Sequence, residues 1–150
     1  MRYQGRNLRK GRLSEPGRIY LLTTVTHERT PVFATWNAGC LVAWEIYAMR
    51  EGRSLETLAW VLMPDHLHWL VQLHTGTLEE HVQRLKSRSA IALNSMKSSS
   101  GRVWQKGFHD HALRKEEDVR AVARYVVANP LRAGLVEKLG DYPFWDAIWL

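Results

Sequence analysis

The stretch from residue 58 to residue 73 constrains the fold more than any other part of the sequence. Two strand-like runs, residues 58–63 (LAWVLM) and 66–73 (HLHWLVQL), are separated only by Pro64-Asp65. So short a link reads as the turn of an antiparallel hairpin, since a parallel neighbour needs a crossover of a dozen or more residues. Successive side chains on a strand point to opposite faces. His66 and His68 therefore share one face, while Leu67, Trp69, Val71 and Leu73 form an apolar face that must be covered.

What covers it follows from the flanking segments. Residues 19–26 (IYLLTTVT) are β-branched and aromatic and predict a strand, ended by Thr30-Pro31. Residues 37–51 have helical composition and stop at Gly52, a good left-handed terminator. Thr77 with Glu80 three residues later is a capping box that starts a helix at Leu78. Leu78, Val82, Leu85, Ala92, Leu93 and Met96 recur at helical spacing, giving that helix a buried face and a basic opposite one. After a Ser98–Gly101 loop, residues 103–114 hold a further strand-like stretch, interrupted at Gly107. Residues 116–128 predict a second strong helix, with acids at its start where the helix dipole favours them. Pro130 should end it at Asn129, and residues 131–139 add a short helical turn. The aromatic tail (Tyr142, Phe144, Trp145, Trp149) packs back or docks on something. The order strand, helix, strand, strand, helix, strand, helix predicts an α+β ferredoxin-like sandwich with an antiparallel sheet. One domain over residues 1–150 is expected, led by a basic arm over residues 1–18.

Composition narrows the partners. The chain has 150 residues, 45% of them hydrophobic, which excludes disorder. No apolar run approaches the ~20 residues that span a bilayer, and the start lacks the apolar stretch of a secretory signal. The lone Cys40 has no internal partner, so it reads as a small core residue and the setting as cytoplasmic, beside the nucleoid. The net charge is +6 and is unevenly spread. Arg2, Arg6, Arg9, Lys10, Arg12 and Arg18 face a single acid, Glu15. From His81 to His109 there is no acid, while Arg84, Lys86, Arg88, Lys97, Arg102 and Lys106 accumulate. Two such segments in one small domain favour a phosphate-bearing polymer.

Two imidazoles on one strand face, as at His66 and His68, suit a single divalent metal ion. His109 and His111 repeat the spacing, and spacing alone does not choose between the pairs. On the helix from Glu116, the apolar stripe is Val119, Val122, Ala123, Val126 and Val127. Tyr125 and Asn129 lie about 40° apart on one flank of it. Two histidines and an amide oxygen would grip Mg²⁺ or Mn²⁺ on a phosphate oxygen, and a tyrosine one turn away could attack that phosphate. A phenol with a pKa near ~10 needs a nearby cation to ionise at neutral pH.

Three segments, MPDHLHWLV (63–71), FHDHALR (108–114) and RYVVANPLRAGLV (124–136), resemble in this order and spacing the REP-associated tyrosine transposases. These are relatives of the single-strand HUH (IS200-like) transposases, and the resemblance runs from Ile19 to the DYPFW tail. It implies the same ferredoxin-like fold. It also implies that His66, His68 and Asn129 hold the metal and that Tyr125 is the nucleophile, forming a 5′-phosphotyrosine and freeing a 3′-hydroxyl. His111 and Arg114 match a supporting block, whereas His109 matches a position where the family varies. The implied substrate is single-stranded DNA with an imperfect hairpin, contacted by the arm (Arg2, Arg6, Arg9, Lys10, Arg12) and the basic helix (Arg84, Lys86, Arg88), the protein being a monomer or homodimer. Phosphotyrosine conserves the phosphodiester energy, so ATP is not required, and the sequence has no phosphate-cradling glycine loop. Two rival readings are a histidine-triad nucleotide hydrolase, whose third histidine would fall on Leu70, and an inactive DNA-binding regulator of the same fold.

Overall fold

The computed structural model describes residues 14–114 and 117–149. Five strands, β1 (Ile19–Val25), β2 (Leu55–Met63), β3 (His66–Leu73), β4 (His109–Ala112) and β5 (Trp145–Ala147), form one sheet. Their order is β4-β1-β3-β2-β5, with every neighbouring pair antiparallel. The helices are α1 (Trp36–Met49), α2 (Leu78–Lys97), α3 (Val119–Val127) and α4 (Asn129–Arg132). The first six of these elements run β-α-β-β-α-β, the ferredoxin-like arrangement. The α+β sandwich expected from the sequence is thus the observed fold, extended by α3 and α4 and by β5 at the β2 edge. Among the described residues no helix is long and apolar enough to cross a membrane.

The hairpin turns at Pro64-Asp65, with Met63 opposite His66. Its apolar face is sealed by α1 and α2. Tyr20, Leu22, Leu62, Leu67, Trp69, Val71 and Leu73 of the sheet are buried there with Val42, Ile46, Leu85 and Leu93 of the helices. Each fully buried aliphatic side chain contributes roughly 1.5–3 kcal/mol, so this layer carries most of the stability. Helix α2 starts where its capping residues place it, the Thr77 hydroxyl accepting the Glu80 N–H at 3.1 Å. Its buried stripe differs at the far end. Met96 is 46% exposed, two residues before the chain turns away at Ser98 in a left-handed conformation (φ 52).

Lys86 departs most from its expected place. It is buried, and its Nζ donates to the carbonyls of Gln105 (2.9 Å) and Gly107, because the 101–107 loop lies over that flank of α2. Burial pushes its pKa down to about 8. It therefore does not belong to the exposed basic face, unlike Arg84 and Arg88.

Helix α1 ends at Met49, and a 3-10 turn over Arg50–Gly52 follows. That extra turn moves the left-handed position from Gly52 to Arg53 (φ 56), a conformation that costs a non-glycine residue about 1–2 kcal/mol. Cys40 is half-buried against the main core rather than fully inside it. The end of the expected arm is docked: Ser14 Oγ accepts from Leu78 N–H (3.1 Å), and Gly17 and Arg18 bond to Leu73. Arg2, Arg6, Arg9, Lys10 and Arg12 lie outside the described residues.

The aromatic tail packs back. β5 pairs with β2 from Ala59 to Val61, and the Tyr142 hydroxyl donates to the Leu62 carbonyl. Phe144 lies against α1 where Gly39 leaves room; a Cβ at that position would sit 2.3 Å from its ring.

Candidate functional site

The strand register builds the site from its centre. His68 lies between Thr23 of β1 and Val61 of β2, and His66 between Val25 and Met63. The two imidazoles are 4.8 Å apart, centroid to centroid, and nearly perpendicular. Each is fixed through its Nδ1. His66 Nδ1 lies 2.7 Å from Asp65 Oδ1, and His68 Nδ1 lies 2.9 Å from Thr23 Oγ1. Arg29 holds the other Asp65 oxygen at 3.1 Å. Burial alone would raise the Asp65 carboxyl, but the His66 and Arg29 contacts outweigh it and hold the pKa below its ordinary value. In the tautomer whose Nδ1–H donates to Asp65, the free lone pair of the His66 ring lies on Nε2. His68 is kept neutral near pH 7. Burial, then the charges of His66 and Arg132, push its pKa down to about 4. An outer carboxylate or hydroxyl on one ring nitrogen is the arrangement that orients a histidine to offer the other nitrogen as a ligand.

Helix α3 covers part of this face. Asp118 caps it, accepting from Arg120 N–H (2.9 Å) and Ala121 N–H (3.3 Å). Ala123 and Val127 pack on Leu58, Ala59, Leu70 and Leu113. Val126 packs on Val61 and Met63, the β2 neighbours of the two histidines. That contact brings the adjacent Tyr125 to the histidine side of the sheet. Its ring is 66% exposed, with the Arg132 guanidinium 3.8 Å above its centroid. The same Arg132 charge is felt at His68, so it joins the phenol and the imidazoles into one neighbourhood.

Asn129 is half-buried, and among the described residues its side-chain amide has no hydrogen-bond partner. It does not continue the Tyr125 helix. The chain leaves α3 at Ala128 (φ −78, ψ 0), and Asn129 opens α4 with Pro130 in the first turn, where its missing N–H is tolerated. The helix thus ends where Pro130 predicts, and the expected helical turn is shifted, running over Asn129–Arg132 rather than residues 131–139.

The sequence matches the IS200-like transposase family over residues 18–129, a span that holds both histidines, Tyr125 and Asn129. This chain belongs to that family. A REP-associated tyrosine transposase of Escherichia coli (strain K12) is 31% identical over 101 residues, covering 66% of this chain and 58% of that protein. The chain thus matches little more than half the length of that curated relative. A Haemophilus influenzae relative is 26% identical over 144 residues, covering 85% of this chain and 78% of its own. A solved REP-associated tyrosine transposase bound to a REP hairpin has the same fold, with a TM-score of 0.74 and 25% identity. That likeness covers 89% of this chain and 79% of the other.

Within this family fold the second histidine pair occupies different ground. His109 and His111 pair with Thr23 and Leu21, so they share the face of His66 and His68 but lie on the far side of β1, about 10 Å away by strand spacing. His111 turns its Nε2 to Glu117 Oε1 at 3.1 Å, and Arg114 donates its backbone N–H to the same oxygen at 2.8 Å. The Arg114 N–H first, then His111, hold the Glu117 carboxyl below its ordinary value. His111 and Arg114 thus converge on Glu117 at the foot of α3. Among the described residues no three His, Cys, Asp or Glu side chains gather as a metal group. Asn129 carries an amide oxygen, a donor of the kind a divalent ion accepts beside imidazoles. Arg132 is the residue that reading the sequence passed over. Tyr125 and Arg132 are seven residues apart, about 10 Å along a continuous helix, so their contact rests on the break at Ala128, which no spacing in the sequence announces.

Proposed function

We propose that the protein is a metal-dependent single-stranded DNA endonuclease and strand transferase that acts beside a hairpin through Tyr125. The observation that carries this reading is the histidine pair, each Nδ1 tied to an outer partner, beside the helix that presents an exposed tyrosine. Family membership and the likeness to a REP-hairpin-bound transposase support it.

In this reading the Tyr125 oxygen attacks phosphorus, the bond to the 3′ oxygen breaks, and the 3′-hydroxyl leaves with a proton while DNA stays joined through its 5′ phosphate. The phenol loses its proton as the new bond forms, and reversal by a 3′-hydroxyl restores both strand and enzyme without ATP. His66, His68 and Asn129 would hold Mg²⁺ or Mn²⁺, which would supply Lewis-acid polarisation of the phosphate. Asp65 and Thr23 orient the imidazoles, and Arg132 lays a positive charge against the Tyr125 ring.

The test is a denaturing gel of labelled hairpin DNA, taken from the repeats flanking the gene, with protein and Mn²⁺ or Mg²⁺. Cut DNA and an SDS-resistant adduct are expected. Tyr125→Phe should remove both, a loss on the order of 10⁴-fold or more, with hairpin affinity nearly unchanged. Cleavage by that variant would refute the nucleophile. Tight binding of uncut DNA by the metal-loaded wild type would instead make the protein a regulatory binder.

A further inference from the structure

The acid-free stretch from His81 to His109 folds into one feature. Its helical half, on α2, and its loop half, over residues 101–107, enclose an open groove of about 700 Å³. Gln83 and Ser87 form one wall, Arg102 and Lys106 the other, and no carboxylate lines it. Both of those cations are exposed, and among the described residues neither has an acidic partner. Lys86 forms the floor, its ammonium spent on the carbonyls of Gln105 and Gly107, so it holds in place the loop that carries them.

The lining is selective in what it lacks. Its one aromatic residue, Trp104, is buried, donates Nε1 inward to Ser89 (2.9 Å) and lies on Phe33 with centroids 5.0 Å apart. No ring is left on which an unpaired base could stack, and stacking is what single strands seek. Cations, an amide and a hydroxyl without a stacking face match the outside of a duplex, where phosphates are presented and bases are hidden. A larger groove at the β2 edge has Arg50 and Arg53 mixed with Glu51, Glu56 and Asp146, a poorer match for a polyanion.

Position ties the groove to the site. Gln105 donates its N–H to the Val25 carbonyl at 2.9 Å, and Val25 lies opposite His66. The loop is therefore two strand spacings from the histidines, about 10 Å.

Building on the DNA reading above, we propose that this groove holds the sugar-phosphate backbone of the hairpin's paired stem. Arg102 and Lys106 make the phosphate contacts, and Lys86 is the positioning residue. The test measures affinity against salt for wild type, the Arg102→Ala/Lys106→Ala double variant and an Arg53→Ala comparator. The probes are a hairpin and an unstructured strand of equal length. Each lost phosphate contact should lower the salt slope by about 1, so the double variant should lose about 2 on the hairpin. No loss is expected on the unstructured strand, and none from Arg53→Ala on either probe. Lys86→Met should reproduce part of the loss, and Lys86→Arg should restore it; where Lys86→Met does not fold, the double variant decides alone. An unchanged hairpin slope would overturn the proposal, and so would an equal loss on both probes. Adduct formation is scored separately. A slope loss without wild-type adduct leaves the groove standing and removes the nuclease, while adduct with an unchanged slope does the reverse.

Discussion

Two His-x-His pairs stand on the same face of one sheet, a single strand apart, and have been given opposite surroundings. His66 and His68 sit on β3 between two strands, half-buried, each with its Nδ1 tied to a neighbour and its Nε2 uncommitted among the described residues. His109 and His111 sit on an edge strand, exposed, and His111 spends its Nε2 on Glu117. Identical spacing thus says little about coordination. What differs is which nitrogen the fold has already used, and a central strand supplies neighbours on both sides to use it.

That contrast can be broken at its strongest point first. Replacing His66 by Ala should weaken Mn²⁺ binding, read by calorimetry, by more than the ~10–100-fold that loss of an outer partner costs. His109→Ala should leave it nearly intact, and equal losses would merge the two pairs into one centre. Next come the outer partners themselves. Thr23→Val keeps shape but frees the His68 ring, and should weaken Mn²⁺ about 10–100-fold. Glu117→Gln, the matching change at the second pair, should leave metal affinity where it was.

The smallest effect concerns acid. Glu117 titrates below its ordinary 4.5 in the folded protein, so it binds protons less readily folded than unfolded. Its contribution to stability is present above 4.5 and is lost as pH falls through the folded value. Denaturation midpoints followed down the carboxylate range should fall less steeply for Glu117→Gln than for the wild type. An identical acid limb would show that Glu117 does not anchor the start of α3.

The fold was largely legible because its signals are local. Pro64-Asp65 between two alternating runs, and Thr77 with Glu80 before an apolar stripe, each specify geometry within a few residues. The histidine pair was legible for the same reason, since period two is a property of any strand. What could not be read depended on segments distant in sequence. Lys86 looks like any surface lysine until the 101–107 loop closes over it. The roles of Thr23 and Asp65 need the β1–β3 register and the hairpin turn, and the meeting of Arg132 with Tyr125 needs the break at Ala128. Pro130 did signal a discontinuity, but not that a new helix would begin with Asn129.

The pocket that Gly39 leaves for Phe144 has a consequence for how such chains can diverge. An alanine there would gain up to about 1 kcal/mol of helix propensity, yet its methyl would need space the ring already fills. Residue 39 cannot drift by itself: enlarging it demands a smaller residue 144. Across descendants of a common ancestor the two sites should change in concert, so that a substitution record of the lineage would show a helix near the beginning of the chain and a tail near its end inherited as a pair.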